Sequence, residues 1–569
     1  MFDRFRLGSF RPTDATRLPG LTGLPGLTKL PRLIRLIRRT TFSDVSTWFN
    51  PSVKISKVSR SSRSPGWSLF ILSLISMFIM FTASACSTPE KEDTEPITLK
   101  ILAQKYSMHI QQLDLAALYK AARPNVQLDV VDLWELMHPS ESPGEESFSL
   151  TSYLESSDAP DVLILQWDPY TFQTLIDRGL LLSLDSYIEK DRIDLTQFAP
   201  IVREALTSPA DGSLYGLAPS FFSYALFYNK DLLDAEGVPY PQDGETWEEL
   251  WSKAEVFAHP PGSASGSTST KDGPADAPAR VGVDRSNYGQ SITTVGLIET
   301  ILNQQGRQQE ALLRAIEEGK KPVLNTPERR ALWEKFIDLQ KRGVLNILDS
   351  EKVQEEMPQN GEKRQGPITF IPYGSESSAF IRGEAPFLLA SWQQATELYD
   401  IMTRSDRFGP LPGQQEIQPF AWDVATFPVD PSSPEEGSPV EMQAVFVIPS
   451  KAQNPEEAWR FIRTVHNENV AKILGQSAGA DGLMTYIPAN RSPLAANIHV
   501  EAFWKLAPTP VSNMNPSYVS EEMSVMLSQV YQALENAYRE ARSGHKSIEE
   551  ALREAEQSLP DGLRKEKRR

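Results

Sequence analysis

The sequence predicts an α/β protein with more than one lobe. Its 569 residues are several times the usual length of a single domain. With 40% hydrophobic and 23% charged residues, the composition is typical of a globular chain. Short apolar runs alternate with segments of helical spacing along most of the chain. This alternation is typical of sheets whose faces are covered by helices.

The first elements predict a parallel sheet. Residues 97–103 and 126–131 have strand patterns, and the segment LAALYKAA between them has helical spacing. Residues 161–165 (DVLIL) form a short continuous apolar run, which is typical of a strand buried on both faces. The helical segment TFQTLIDRGL follows this run.

The middle of the chain carries clear turn and cap signals. Residues 214–228 are apolar and aromatic around a proline, which predicts two strand segments at a crossing. The next helix, NKDLLDAEG, is expected to end at Gly237. Thr246 and Glu249 have the spacing of a capping box at the start of the helix WEELWSKAEVF.

The later elements are mostly helical. Further predicted helices cover 290–304, 326–343 and 519–541, and further predicted strands cover 386–390, 422–426 and 444–448. Residues 260–280 are a low-complexity insertion, and residues 350–368 form a polar loop.

The charge distribution divides the chain into two unlike parts. The net charge of −17 argues against a nucleic-acid partner, because phosphate binding needs clustered Lys and Arg. Residues 1–85 hold 13 Lys and Arg against 3 Asp and Glu, whereas residues 86–569 hold 44 against 71. The sequence therefore predicts a basic leader and an acidic body.

The leader resembles a lipoprotein signal peptide. In residues 53–85, basic residues precede an uncharged apolar stretch that ends in Ala-Ser-Ala before Cys86, similar to the lipobox of bacterial lipoproteins. The resemblance implies cleavage before Cys86, acyl chains such as palmitate on that residue, and a tether over 86–96. An uncleaved membrane anchor or an ordinary buried thiol are the alternatives. Both membrane interpretations predict a body outside the cytoplasm.

Residues 1–52 allow two interpretations. The segment LTKLPRLIRLIRRT is basic and amphipathic, as in helices that lie on a membrane surface. Alternatively, translation starts near Val53 and the extension is not part of the protein.

Motifs in the body resemble one family. The segment GSLYGLAPSFFSYALFYNKDLLDAEGVPYPQDGETWEEL is similar to the family pattern YG-x-P, YNKDL, TW-x-EL of the extracellular solute-binding proteins of sugar-type ABC importers. SDAPDVLILQWDPY, IRGEAPFLLASW, NPEEAWRFIRTV and GHKSIEEALREAEQSL match further family segments in order. The matches extend from about residue 97 to 558.

The resemblance implies a two-lobed periplasmic-binding-protein-like fold of type II, with ligand held between discontinuous lobes. The expected first lobe is 97–216 plus 445–485, and the second is 217–444 plus 486–560, with a basic tail at 561–569. Hinge crossings are expected at 217–224, 440–447 and 483–490.

The resemblance also implies a function. The protein is expected to capture a solute, most simply a carbohydrate, and to deliver it to the membrane subunits of an ABC permease as a monomer, without a cofactor or metal. Two alternatives stay open: a ligand-sensing partner of a membrane histidine kinase, and an extracellular carbohydrate-active enzyme. The chain has no HExxH, Walker or Rossmann motif, which favours a protein that is not an enzyme.

A sugar site needs aromatic rings for stacking and carboxylates or amides for hydroxyl groups. The strand ends and crossings hold such residues, because ligands of α/β sheets bind at the carboxyl ends of strands. The candidate ligand-binding residues are Gln104, Tyr106, Trp167, Asp168, Phe222, Tyr224, Trp392, Tyr486 and Tyr531. Asp168 also fits a helix N-cap, and the aromatic residues also fit hinge or core packing.

Overall fold

A computed structural model describes residues 96–104, 109–110, 113–137, 148–258, 281–285, 293–346, 378–403, 417–477, 482–509 and 521–560. Several predictions fall outside these residues. They are the leader with Cys86, Tyr106, the insertion at 260–280, the polar loop at 350–368 and the tail at 561–569.

The described strands are β1 (Ile97–Ala103), β2 (His109–Ile110), β3 (Leu113–Asp114), β4 (Val126–Asp132), β5 (Val162–Leu165), β6 (Ser220–Asn229), β7 (Val283–Arg285), β8 (Phe387–Ser391), β9 (Trp422–Thr426), β10 (Val440–Glu441), β11 (Val445–Val447) and β12 (Leu483–Met484). The described helices are α1 (Leu115–Ala122), α2 (Leu133–Met137), α3 (Leu150–Glu155), α4 (Pro169–Asp177), α5 (Asp185–Asp191), α6 (Pro200–Ala205), α7 (Lys230–Glu236), α8 (Trp247–Glu255), α9 (Thr294–Gly306), α10 (Gln308–Glu317), α11 (Pro327–Lys341), α12 (Trp392–Thr403), α13 (Pro455–Val465), α14 (Glu468–Ser477), α15 (Glu521–Arg542) and α16 (Ile548–Ser558).

The first lobe is organised around a four-stranded sheet in the order β11, β5, β1, β4. Strand β1 runs parallel to β4 and β5, and β11 is antiparallel to β5. All four residues of β5 are buried, as its continuous apolar run predicts. The carboxyl ends of β1, β4 and β5 therefore lie along one edge of this sheet.

Two of the motifs that resemble the family meet in this lobe. The carboxylate of Asp161, from SDAPD, accepts hydrogen bonds from the backbone N–H of Lys100 at 3.0 Å and of Asn454 at 2.6 Å. Asn454 directly precedes α13, the helix of the NPEEAW motif. These residues are 293 positions apart in sequence, and their contact fastens α13 beside β1 and β5.

The second lobe is organised around β6. This strand pairs antiparallel with β8, β9, β10 and β12, and β7 pairs parallel with β8. The prediction of two strand segments in 214–228 is corrected to one strand, Ser220–Asn229. Pro219 lies just before the strand, and Leu217 forms only a single bridge to Phe446, because proline lacks the N–H that a continuous ladder needs.

The chain passes between the two sheets beside the start of β6. Residues Val445–Val447 pair in the first sheet, whereas Val440–Glu441 pair with β6 in the second. Leu483–Met484 pairs with Phe221 and Ser220, the first residues of β6. The lobe boundaries and crossings given above stay predictions.

The local cap predictions are confirmed. Gly237 ends α7 in the left-handed conformation at φ 65°, and Thr246 forms the capping box with Glu249 at the start of α8. In the part of the chain that the structure describes, no helix is long and apolar enough to cross a membrane.

Candidate functional site

Trp167 and Asp168 follow β5 at the carboxyl edge of the first sheet. The backbone N–H of Trp167 donates to Met442 O at 2.9 Å, which places it beside the segment between β10 and β11. Its half-buried ring lies 5.4 Å from the ring of Phe172. Gln104 follows β1 at the same edge, one strand away.

Asp168 is the N-cap of α4. Its Oδ2 accepts the backbone N–H of Thr171 at 2.7 Å, and Pro169 occupies the first helical position. The carboxylate is 3% exposed. The predicted cap role is confirmed, while its contact with a ligand stays a prediction.

Phe222 and Tyr224 lie on β6, where the crossings meet. Phe222 is paired with Glu441 on β10. The Tyr224 hydroxyl lies 3.5 Å from Glu441 Oε1, and burial, together with this carboxylate, raises the pKa of Tyr224. The phenol therefore stays neutral and can donate a hydrogen bond.

Trp392 lies next to this pair. Tyr224 is paired with Ser391, the residue that precedes Trp392. The buried indole packs edge-on against Phe503, with ring centroids 5.5 Å apart. Strand pairing thus brings Trp392, Tyr224 and Glu441 to one end of the second sheet.

Tyr486 lies two residues after β12, the strand that pairs with the first residues of β6. It forms an isolated bridge with Phe198 of the first lobe, and their rings are 6.3 Å apart in an edge-on arrangement. Gly482, just before β12, has φ 98°, and a Cβ there would lie 2.7 Å from Phe221 O. Only glycine permits this close approach of the chain to β6.

Tyr531 lies elsewhere. It is on α15, outside the strands and crossings, and it belongs to the same hydrophobic core cluster as Tyr224. Burial raises its pKa, and the nearby Glu299 carboxylate raises it further. The structure therefore groups the other described candidates near the crossings and sheet edges. They are Gln104, Trp167, Asp168, Phe222, Tyr224, Trp392 and Tyr486.

The sequence profile described as "Bacterial extracellular solute-binding protein" matches residues 109–468. The chain belongs to this family. A search of curated proteins found no match.

Several solved structures are similar to this chain. This solute-binding protein is similar to the sugar-binding protein MalE from Xanthomonas citri, with 17% identity and a TM-score of 0.50 over 81% of this chain and 96% of that one. An extracellular solute-binding protein family 1 structure from Alicyclobacillus acidocaldarius matches 82% of this chain and 98% of its own, at 16% identity and a TM-score of 0.48. A solute-binding protein from Agrobacterium radiobacter in complex with ribitol has 18% identity, the same two coverages and a TM-score of 0.44.

The two lobes of the solute-binding protein are also joined by a hydrogen bond that the sequence interpretation missed. The Tyr170 hydroxyl, at the start of α4 in the first lobe, donates to Glu317 Oε1 on α10 of the second lobe at 2.7 Å. Tyr170 also packs against the core of the second lobe. Burial raises its pKa, and the hydrogen bond to Glu317 adds to this rise. Tyr170 lies two residues after Asp168, so the argument that ligands bind at the carboxyl ends of strands could have found it. No sequence pattern points to Glu317.

Two further residues near the site were missed. Glu441 is absent from the residues predicted from the sequence, yet strand pairing places it opposite Phe222. Trp134 lies two residues after the end of β4. The argument that selects Gln104 after β1 and Trp167 after β5 therefore selects Trp134 as well.

One serine motif bears on the alternative that the chain is an enzyme. Residues 475–479 read GQSAG and have the Gly-x-Ser-x-Gly spacing of a hydrolase nucleophile elbow. That elbow requires a sharp turn from a strand into a helix. Here Glu468–Ser477 is a helix, so the serine ends α14 and lacks the elbow context.

Proposed function

We propose that this solute-binding protein captures a carbohydrate between its lobes and delivers it to an ABC importer, without catalysing a reaction. The observation that carries the proposal is the group of aromatic rings and carboxylates beside the crossings. Tyr224 on β6 lies beside Glu441 on β10, and Trp392 directly follows β8, which pairs with β6. Trp167 and Asp168 come from the edge of the first sheet.

This chemistry suits a sugar. Pyranose rings present apolar C–H faces, which pack on aromatic rings, and hydroxyl groups, which hydrogen-bond to carboxylates, amides and phenols. A concave site lined by aromatic rings with a few oriented polar groups is typical of small-molecule binding. Phe222, Tyr224, Trp392 and Tyr486 supply rings, and Asp168, Glu441 and Gln104 supply polar groups.

The proposal is tested by ligand screening on the chain from residue 87 onward. We expect mono- or oligosaccharides to raise its melting temperature, because a ligand that binds only the folded state stabilises it. For a sugar that does so, Trp392→Ala should weaken binding by about tenfold or more, measured by calorimetry. Trp247→Phe, altered on α8 away from the crossings, is the control. Stabilisation by a peptide alone would contradict the carbohydrate assignment.

Closure of the lobes is proposed to depend on Tyr170 and Glu317. We expect Tyr170→Phe to weaken sugar binding by about 3- to 10-fold, because the closed form loses one charge-assisted hydrogen bond and keeps the ring packing. Calorimetric Kd values for the single and double variants with Glu317→Ala measure this. If Tyr170→Phe has the same effect in the Glu317→Ala background, the hydrogen bond does not contribute to closure.

We also propose, from the lipobox resemblance, that the protein is anchored at Cys86. From the family we propose that it lies outside the cytoplasm, works with a permease and is a monomer. Fractionation of cells that produce the Cys86→Ser chain tests the anchor. Membrane retention equal to that of the unaltered chain would contradict it.

A further inference from the structure

Phe503 is a buried residue that contacts the candidate ring Trp392 from a distant part of the chain. It ends the short 3₁₀ helix Val500–Phe503 and is 1% exposed. Its ring stands at 88° to the indole of Trp392, with ring centroids 5.5 Å apart. Aromatic pairs in contact have preferred relative orientations, so this edge-on contact favours one orientation of the indole.

Phe503 is itself fastened to β6. Its carbonyl oxygen accepts a hydrogen bond from Ser223 Oγ at 2.6 Å, and Ser223 is completely buried. Ser223 lies between the candidate residues Phe222 and Tyr224. The ring of Phe503 also packs edge-on against Phe227, further along β6, with centroids 5.9 Å apart. The strand that carries two candidate residues therefore also holds Phe503.

The chain on either side of Phe503 is held by two aspartates. The backbone N–H of His499 donates to Asp423 Oδ1 on β9 at 2.7 Å. Asp243 Oδ2 lies 2.9 Å from His499 Nε2 and accepts a hydrogen bond from Lys505 Nζ at 2.7 Å. These contacts hold the 3₁₀ helix at both ends, so a fixed turn presents Phe503 to the indole.

The backbone of Trp392 is fixed independently of Phe503. The preceding residue, Ser391, pairs with Tyr224 on β6, and its N–H donates to Gln394 Oε1 at 3.0 Å. These contacts determine where the side chain of Trp392 begins. They do not select its χ1 and χ2 torsions among the allowed rotamers, so the direction of the indole depends on the side chains packed against it.

We infer that Phe503 and Ser223 are positioning residues that hold the indole of Trp392 in its sugar-binding orientation. This inference rests on the proposed carbohydrate function. A ring that is already oriented loses little side-chain entropy when a ligand binds. If the indole instead occupies several rotamers, the apparent Kd rises by the inverse of the fraction in the competent rotamer. Loss of the support should therefore weaken binding even though the indole itself is unchanged.

Calorimetry on the chain from residue 87 onward tests this with the saccharide that raises the melting temperature of the wild-type chain most. We expect Phe503→Leu to weaken binding by about tenfold and Ser223→Ala by about threefold. In the Trp392→Ala background neither change should weaken binding further, because both act through the indole. Tyr538→Phe, which removes a buried hydrogen bond to Gln340 on α11, is the matched control for Ser223→Ala and should leave the affinity unchanged.

A second readout needs no ligand. The near-ultraviolet circular dichroism of the wild-type chain minus that of Trp392→Phe gives the signal of the Trp392 indole, which is strong only when the ring is fixed. We expect this difference to be largely lost when the same subtraction is made in the Phe503→Leu background. Retention of the full difference would show that Phe503 does not orient the indole.

The remaining outcomes separate the inference from the proposed function. If Phe503→Leu binds the saccharide as tightly as the wild-type chain, or if its loss is equally large in the Trp392→Ala background, Phe503 does not position Trp392 and the carbohydrate function stands. Should Phe503→Leu fail to fold, Ser223→Ala decides by the same comparisons. Stabilisation of the wild-type chain by no saccharide overturns the carbohydrate function and the role of both residues in it.

Discussion

Replacing Arg329 with methionine is expected to destabilise the protein by about 3–5 kcal/mol, because it leaves a carboxylate buried without its cation. Arg329 Nε and Nη2 donate to the two oxygens of Glu299 at 3.0 and 2.9 Å, and Nη1 donates to Leu324 O at 2.8 Å. Both side chains are almost completely buried, at 1% and 2% exposure. Urea unfolding followed by circular dichroism measures the loss.

A double variant separates the buried charge from the packing. Arg329→Met with Glu299→Leu removes both charges, and replacing a whole buried pair by apolar residues is often close to neutral. We therefore expect the double variant to recover most of the stability that Arg329→Met loses. A double variant as unstable as the single one would show that packing, and not the unpaired charge, dominates at this position.

The second large effect is a pH dependence at His466. Its ring is buried and packs edge-on against Phe446 of β11, with centroids 5.1 Å apart. Its Nδ1 lies 2.7 Å from Ile462 O. Burial lowers the pKa of His466 from 6.5 to about 4. The neutral ring of His466 is thus part of the packing against β11, a strand of the first sheet.

The direction of the pH effect follows from this pKa. Between pH 6.5 and 4 the unfolded chain binds a proton at His466 that the folded chain does not, so stability falls as the pH falls through this window. The difference corresponds to about 3 kcal/mol, complete near pH 4 and absent above pH 7. The measurement is the free energy of unfolding in urea at several pH values, for the wild-type chain and for His466→Gln. Equal slopes in the two proteins would show that carboxylates, and not His466, cause the acid sensitivity.

Much of the fold could be predicted because its signals are local. The buried strand at Val162–Leu165, the left-handed Gly237 and the capping box of Thr246 each depend on a few adjacent residues. Continuity of β6 through Ser220–Asn229 could not be predicted, because it depends on partner strands from distant parts of the chain. The proline predicted an interruption within the segment, but it lies directly before the first residue of β6, and the strand is continuous after it.

The candidate site was predictable to a similar degree. Residues that follow strands, such as Trp167 and Asp168, could be named because strand ends in α/β sheets converge. The contact between Tyr170 and Glu317 could not, since these residues are 147 positions apart and meet only when the lobes do. The position of Tyr531 could not be predicted. A helical stripe of apolar residues does not show whether an aromatic residue on it faces the core or a cleft, and Tyr531 belongs to a core cluster.

The order of strands in the first sheet has a consequence for biosynthesis. Strand β5 is complete at residue 165, yet its antiparallel neighbour β11 begins at residue 445. Throughout synthesis of the intervening chain, β5 is an open, apolar sheet edge that can pair with other chains. The core of the second lobe likewise depends on helices α15 and α16, which end at residue 558. Neither lobe can therefore fold to completion as it emerges, and a chaperone that covers the edge of β5 would protect the nascent chain until its last segments arrive.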